Sequence, residues 1–402
     1  MEELYLKISS LLSMALCGIP FAVCGDTASY APPTSPLNLQ VPPGFEISIY
    51  AKLPGSKNGF ATGPRMMALG PSGELYVTTG RYDSIYKIID HDQDGSSDNQ
   101  EVWLNNLNMP HGIDYFEDYL YIANQDEIIK ISIKNPKKKI TLVKNLATGH
   151  HTTKNIKVGP DEHLYINLGS TCNVCIEEDP TRATIERYTL NGKSAGSIKT
   201  VGRHKPIATW ARGLRNSQGF DWHPVTQEMY ATNNGSDMRS NIKNGPIDDE
   251  LPPEHLNIIN PGKHYGWPYC WGNKVPDPNF EQPQGFCKKS TSPSITFRAH
   301  STPIGITFLN KTNFPAKYKS DAIIALHGSW NRKNPTGYKL VRVKFKNNKP
   351  SSVEDFVTGW LTDKSAWGRP TGIIQRPNGG LFISDDRSGY IYNLSYTGET
   401  KK

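Results

Sequence analysis

The chain has 402 residues, of which 36% are hydrophobic and 21% charged, and its formal net charge is +7. This is enough apolar material for a sizeable core and too little charge for a disordered chain. With 35 Gly, 30 Pro, 19 Tyr, 8 Trp and 13 Phe, the composition favours many short strands joined by turns and argues against long helices. A membrane-embedded body is disfavoured as well, because no apolar run of about 18 residues is free of Gly, Pro and polar breaks.

At the N-terminus, Lys7 precedes the apolar run Ile8–Cys24, and a polar, Pro-rich stretch follows. This is the layout of an export leader spanning residues 1–24, followed by a linker over 25–39. Ala22-Val23-Cys24-Gly25 also resembles a lipoprotein cleavage box, which would place a lipid anchor on Cys24. Glu2, Glu3 and Pro20 depart from the leader pattern, and the alternative is a buried N-terminal helix. The expected location is periplasmic, secreted or outer-membrane lipoprotein. Four cysteines then remain, and an even number in an exported chain favours two disulfides. Local pairing, Cys172–Cys175 and Cys270–Cys287, is the simplest connectivity. Ile176 stands where a c-type haem site needs His, so covalent haem is not expected.

Further along, Asp90, Asp92, Asp94 and Gly95, with Glu101 beyond, match the spacing of an acidic calcium loop. An acidic hairpin without an ion is the alternative. Lys137–Lys139 read as a surface turn, and no basic stripe carries interleaved aromatics, which disfavours nucleic-acid binding.

One unit recurs: a Gly or acidic turn, an aromatic-aliphatic strand, then a second strand. Its anchors are Tyr76, Tyr121, Tyr165, Tyr230, Ile324 and Phe382. They are 45, 44, 65, 94 and 58 residues apart, a base period near 45 with insertions. The expectation is an all-β, six-bladed β-propeller over residues 40–396 with long loop insertions on one face and a polar tail at 397–402. Residues 45–50 (FEISIY) are the natural strand to close the ring against the last blade. A β-sandwich is the alternative, and it does not explain six related units. The insertions of the third to fifth units are expected to build the functional face.

Five polar clusters fall at corresponding strand ends: 149–154 (GHHTTK), 212–219 (RGLRNSQG), 233–237 (NNGSD), 327–332 (HGSWNR) and 367–370 (WGRP). Together they offer a His base, several Arg donors and an Asn/Asp/carbonyl group, suited to a carboxylate-bearing ligand and a hard cation. At these motifs, and in HHTTKNIKVGPDEHLYINLGSTCNVC, DDELPPEHLN and YGWPYCWG, the chain resembles the soluble pyrroloquinoline quinone (PQQ)-dependent sugar dehydrogenases. The likeness is to the sorbosone dehydrogenase-like branch in particular, from about residue 40 onward.

The resemblance implies PQQ bound over the channel with a calcium ion, His151 as the base, and Arg215 and Asn216 against PQQ. It implies calcium on the carbonyls of Gly235 and Ser236, and PQQ carboxylates held by Arg369 and Arg332. Arg65 and His111 are further candidates for cofactor binding. Sugar dehydrogenases of the glucose type orient the base with an Asp, where this chain has Ser170. The implied activity is oxidation of an aldose or related aldehyde or hydroxyl compound by hydride transfer, with an external quinone or cytochrome as electron acceptor. Two rivals are a calcium-dependent propeller lactonase or other hydrolase, and a non-enzymatic propeller that binds carbohydrate or a partner.

Overall fold

The computed structural model describes residues 38–56, 63–198, 207–363, 365–376 and 379–398. The leader and the Cys24 anchor lie outside them. The described residues form six four-stranded antiparallel sheets, the blades of a β-propeller. The inner strands, in blade order, are Pro64–Leu69, Gly112–Phe116, Ile156–Val158, Phe220–Trp222, Pro303–Phe308 and Pro370–Gln375. The second strands are Leu75–Thr79, Tyr119–Ala123, His163–Leu168, Met229–Asn233, Ala322–Leu326 and Leu381–Asp385. Each of the six repeat anchors lies on one of these second strands and is buried.

The reason lies in the packing. A second strand has a neighbouring blade on each face, so both of its side-chain rows are covered and the polar-apolar alternation disappears. Outer strands face solvent and are polar, as in Asn99–Leu104 and Asn135–Val143. Lys137–Lys139, expected in a turn, lie on that second outer strand, where charge discourages edge pairing.

The ring closes as the sequence suggests. Phe45–Lys52 pairs antiparallel with Tyr390–Tyr396 and becomes the outer strand of the last blade. Phe45 anchors this seam, its ring edge-on to Phe314, Tyr318, Phe356 and Tyr396 at 4.7–5.4 Å. Both disulfides, Cys172–Cys175 and Cys270–Cys287, are formed.

Towards the axis the inner strands crowd together. A Cβ on Gly219 would lie 1.7 Å from the carbonyl oxygen of Ile304 on the next blade. A Cβ on Gly372 would lie 2.2 Å from that of Arg65. Both neighbours are backbone and cannot swing aside, so Gly219→Ala must open the junction. We expect it to cost about 3 kcal/mol of stability, read as a lower denaturation midpoint with an unchanged m-value. A variant as stable as the parent would show that the junction is loose.

Candidate functional site

A cavity of about 640 Å³ opens at one face of the ring. Its lining comes from the start of the inner strands and the end of the second strands. Arg65, His151, Arg215, Asn216 and Arg369 belong to the first class, and Gly235, Asp237 and His327 to the second. Five residues expected from the sequence to bind or react with a cofactor thus converge: Arg65, His151, Arg215, Asn216 and Arg369. Gly235, an expected cation ligand, joins them.

His151 Nδ1 lies 2.9 Å from both the carbonyl oxygen and the hydroxyl of Ser170. The carbonyl can only accept, and the Ser170 hydroxyl donates its proton to the Cys172 carbonyl at 2.7 Å. Nδ1 therefore carries the imidazole hydrogen and Nε2 keeps its lone pair. Burial, then Arg215 and His150, push the His151 pKa down to about 3, so the ring is neutral at ordinary pH. Ser170 thus fills the orienting position through backbone and hydroxyl.

Arg215 is buried and held on every nitrogen. Nε donates to the Asn173 carbonyl (3.1 Å), Nη1 to the Gly235 carbonyl (2.7 Å), and Nη2 to Asn173 Oδ1 (3.0 Å) and Asp237 Oδ2 (2.8 Å). Across the cavity, Asp386 joins three blades. It accepts from Arg65 Nη1 and lies 2.9 Å from His327 Nε2. Burial alone would raise the Asp386 carboxyl, but His327 and Arg65 hold it well below the usual carboxylate range. Arg369 donates to the carbonyls of His327 (3.1 Å) and Gly328.

Other expected residues lie elsewhere. Arg332 does not line the cavity. Its guanidinium braces the loops through the carbonyls of Asp249 (2.6 Å), Ala299 (3.0 Å) and Asn334 (3.1 Å) and the Glu250 carboxylate. His111 sits behind the lining, with Nδ1 against the Lys154 carbonyl at 3.0 Å. Ser236 is buried outside the lining, its hydroxyl donating to the Asn173 carbonyl at 3.3 Å. In the acidic loop the carboxylates that gather are Asp90, Asp92 and Asp98. Asp94 instead accepts from the Ser96 amide at 2.7 Å, and Glu101 lies on an outer strand opposite Lys87.

Sequence reasoning missed Asn173, Glu254, His300 and Asp386. Glu254 is buried in the lining, accepts from the Gly235 amide at 2.5 Å, and is pushed up to about 7 by burial. Its place directly after the rigid Pro252-Pro253 pair was the available signal.

The lining also fits a planar polycarboxylate such as PQQ. Arg65 Nε is a buried donor of the lining without a protein partner and can serve a carboxylate, whereas the likewise unpartnered Asn216 Oδ1 and Asn234 Oδ1 are acceptors, which suit a donor or a cation. Calcium on the Gly235 carbonyl fits less well, because that oxygen already accepts from the Arg215 guanidinium.

The model of the TrAA12-like family matches residues 57–397. An uncharacterized protein of Borreliella burgdorferi is 30% identical over 89% of this chain and 91% of its own length. A pyrroloquinoline quinone-dependent pyranose dehydrogenase of Coprinopsis cinerea is 24% identical over 83% of this chain, which spans 52% of that protein's length. Among solved structures, a Trichoderma reesei enzyme of Carbohydrate-Active Enzymes Family AA12 superposes with TM-score 0.74 at 19% identity, covering 89% of this chain and 97% of its own. The PQQ domain of the Coprinopsis cinerea pyranose dehydrogenase gives 0.72 at 19% identity, over 90% and 98%. These two likenesses concern the fold.

Removing the shared anion should be costly. Asp386→Ala leaves the Arg65 charge buried without its partner, and we expect a loss of about 3–5 kcal/mol, measured by chemical denaturation. A loss below about 1 kcal/mol would mean that the pair is dispensable.

Proposed function

We propose that this chain, which belongs to the TrAA12-like family, is a PQQ-dependent dehydrogenase oxidising an aldose or related aldehyde or hydroxyl compound. The observation that carries the reading is a neutral His151, its Nδ1–H fixed on Ser170, at a cavity bordered by Arg65, Arg215 and Arg369. PQQ, when bound, would supply a two-electron acceptor for the hydride of the substrate carbon, to be reoxidised by an external quinone or cytochrome.

Arg65, Arg369 and Asn216 would hold the cofactor's carboxylates and carbonyls, with Arg215 keeping positive potential beside them. His151 Nε2 accepts the proton of the substrate hydroxyl, and its Nδ1–H bond to Ser170 steadies the imidazolium that forms. The low affinity of His151 for protons keeps the base form present in acid. The two disulfides support an exported protein in an oxidising compartment.

Calcium would have to share the Gly235 carbonyl with Arg215, so no step is assigned to it. One observation favours a second reading. Glu254, with the unpartnered Oδ1 atoms of Asn216 and Asn234, forms the acidic and amide set that a calcium-dependent lactonase would use. Lactone hydrolysis with calcium and without PQQ would identify it.

The test is reconstitution of the purified chain with PQQ, followed by dye reduction with a panel of aldoses. Absence of PQQ binding by absorbance would sink the proposal. His151→Ala should keep PQQ binding and lower kcat by about 10²–10⁴-fold. The base acts deprotonated, so activity is lost as pH falls through the His151 pKa. The acid limb of kcat/KM should lie near 3, not near 6.5. An unshifted limb would remove His151 from the role of base.

A further inference from the structure

The short loop closed by Cys172–Cys175 holds a residue with an unusual share of the site's hydrogen bonds. Asn173 uses its carbonyl to accept from Arg215 Nε (3.1 Å), Trp267 Nε1 (3.0 Å) and Ser236 Oγ (3.3 Å). Its Oδ1 accepts from Arg215 Nη2 (3.0 Å) and the Asp237 amide (2.7 Å), and its Nδ2 donates to the Asp237 carbonyl (2.8 Å). Arg215, Ser236 and Asp237 therefore all bond to this one side chain and its own peptide.

The same loop also reaches His151. The Cys172 carbonyl takes the Ser170 hydroxyl proton, which leaves that hydroxyl to face His151 Nδ1 as an acceptor. The Ser170 amide in turn donates to the Arg215 carbonyl at 2.8 Å. Contacts to both His151 and Arg215 thus run through residues 170–173, a loop that carries no regular secondary structure. The disulfide covalently shortens the loop that an Asn alone would leave free to swing.

We propose that Asn173 is a positioning residue, and that the Cys172–Cys175 disulfide is the clamp through which the loop sets both the Arg215 guanidinium and the His151 tautomer. The proposal rests on the functional reading above for the roles of those two residues. Its geometry is independent of any bound cofactor. The disulfide cysteines are half-buried at 172 and 175, whereas Cys270 and Cys287 are buried, so the clamp is the more open of the two bridges. An external dithiol can exchange with it: two electrons and two protons pass to Cys172 and Cys175, giving two thiols and the oxidised dithiol.

The experiment uses the full chain without cofactor. Imidazole ¹⁵N shifts of His151 are recorded for the parent, Asn173→Ala and the double variant Cys172→Ser/Cys175→Ser, and PQQ binding is titrated in parallel. We expect the parent to show the Nδ1–H tautomer. Both variants should move toward a tautomer mixture and weaken PQQ binding by about tenfold or more. Arg369→Ala should weaken PQQ binding while leaving the His151 shifts unchanged.

If a variant does not fold, the folded parent treated with dithiothreitol takes its place, with mass mapping to verify that Cys270–Cys287 stays closed. Unchanged His151 shifts in folded variants, or in that selectively reduced parent, would overturn the proposal. Failure of the parent to bind PQQ would count against the functional reading only, because the ¹⁵N shifts are read without PQQ.

Discussion

The constraint on which the rest of this structure depends is the convergence of six inner strands on one axis. Backbones there approach so closely that Gly219 and Gly372 have no room for a Cβ. Polar groups buried near the axis need partners, and several find them across a blade junction. Ser384 Oγ donates to the Arg65 carbonyl, and the Thr78 hydroxyl donates to the His111 carbonyl at 2.7 Å. Such bonds join neighbouring blades as a hydrophobic layer alone could not.

The same convergence explains why the site sits at the strand ends. Loops that enter an inner strand and loops that leave a second strand meet at one face, and their side chains point over the axis. A cavity there collects cationic groups from several blades, and bringing them together has an electrostatic cost. The fold meets that cost with buried acceptors. Asp386 answers Arg65, Asp237 answers Arg215 at 2.8 Å, and the His327 and Gly328 carbonyls take the Arg369 guanidinium. Each cation is fixed in direction, which is what recognition of a rigid polyanion requires.

The architecture was legible because a propeller blade repeats a local pattern, and burial on both faces makes second strands read as near-continuous apolar runs around Tyr76, Tyr121 and Tyr230. Residues at the strand ends, such as His151, Arg215 and Arg369, were legible because strand and loop positions could be counted. Arg332 and His111 misled for one shared reason. Both lie in the right segment, but sequence position does not say which way a side chain turns, and these two point into the supporting loops. Asn173 and Asp386 were missed because their importance is relational. An Asn within CxxC or an Asp after a strand is unremarkable until its partners arrive from residues 42 and 321 positions away. Glu101 failed differently, since a spacing that closes a helix-flanked calcium loop here continues into a strand.

The serine in place of an orienting carboxylate makes sense in this light. A carboxylate beside Nδ1 would hold the imidazole direction but would also stabilise its charged form and raise its pKa. Ser170 supplies direction through its carbonyl and hydroxyl at 2.9 Å without adding a negative charge. Burial first, then Arg215 and His150, outweigh the opposing Ser170 bond and Asp237, and the ring stays neutral. The orientation therefore depends on the backbone of one loop, which shifts the demand for rigidity from a charged partner to the covalent closure of residues 172–175. In a site already crowded with cations, this arrangement separates two tasks that a carboxylate would combine: aiming the imidazole and setting its proton affinity.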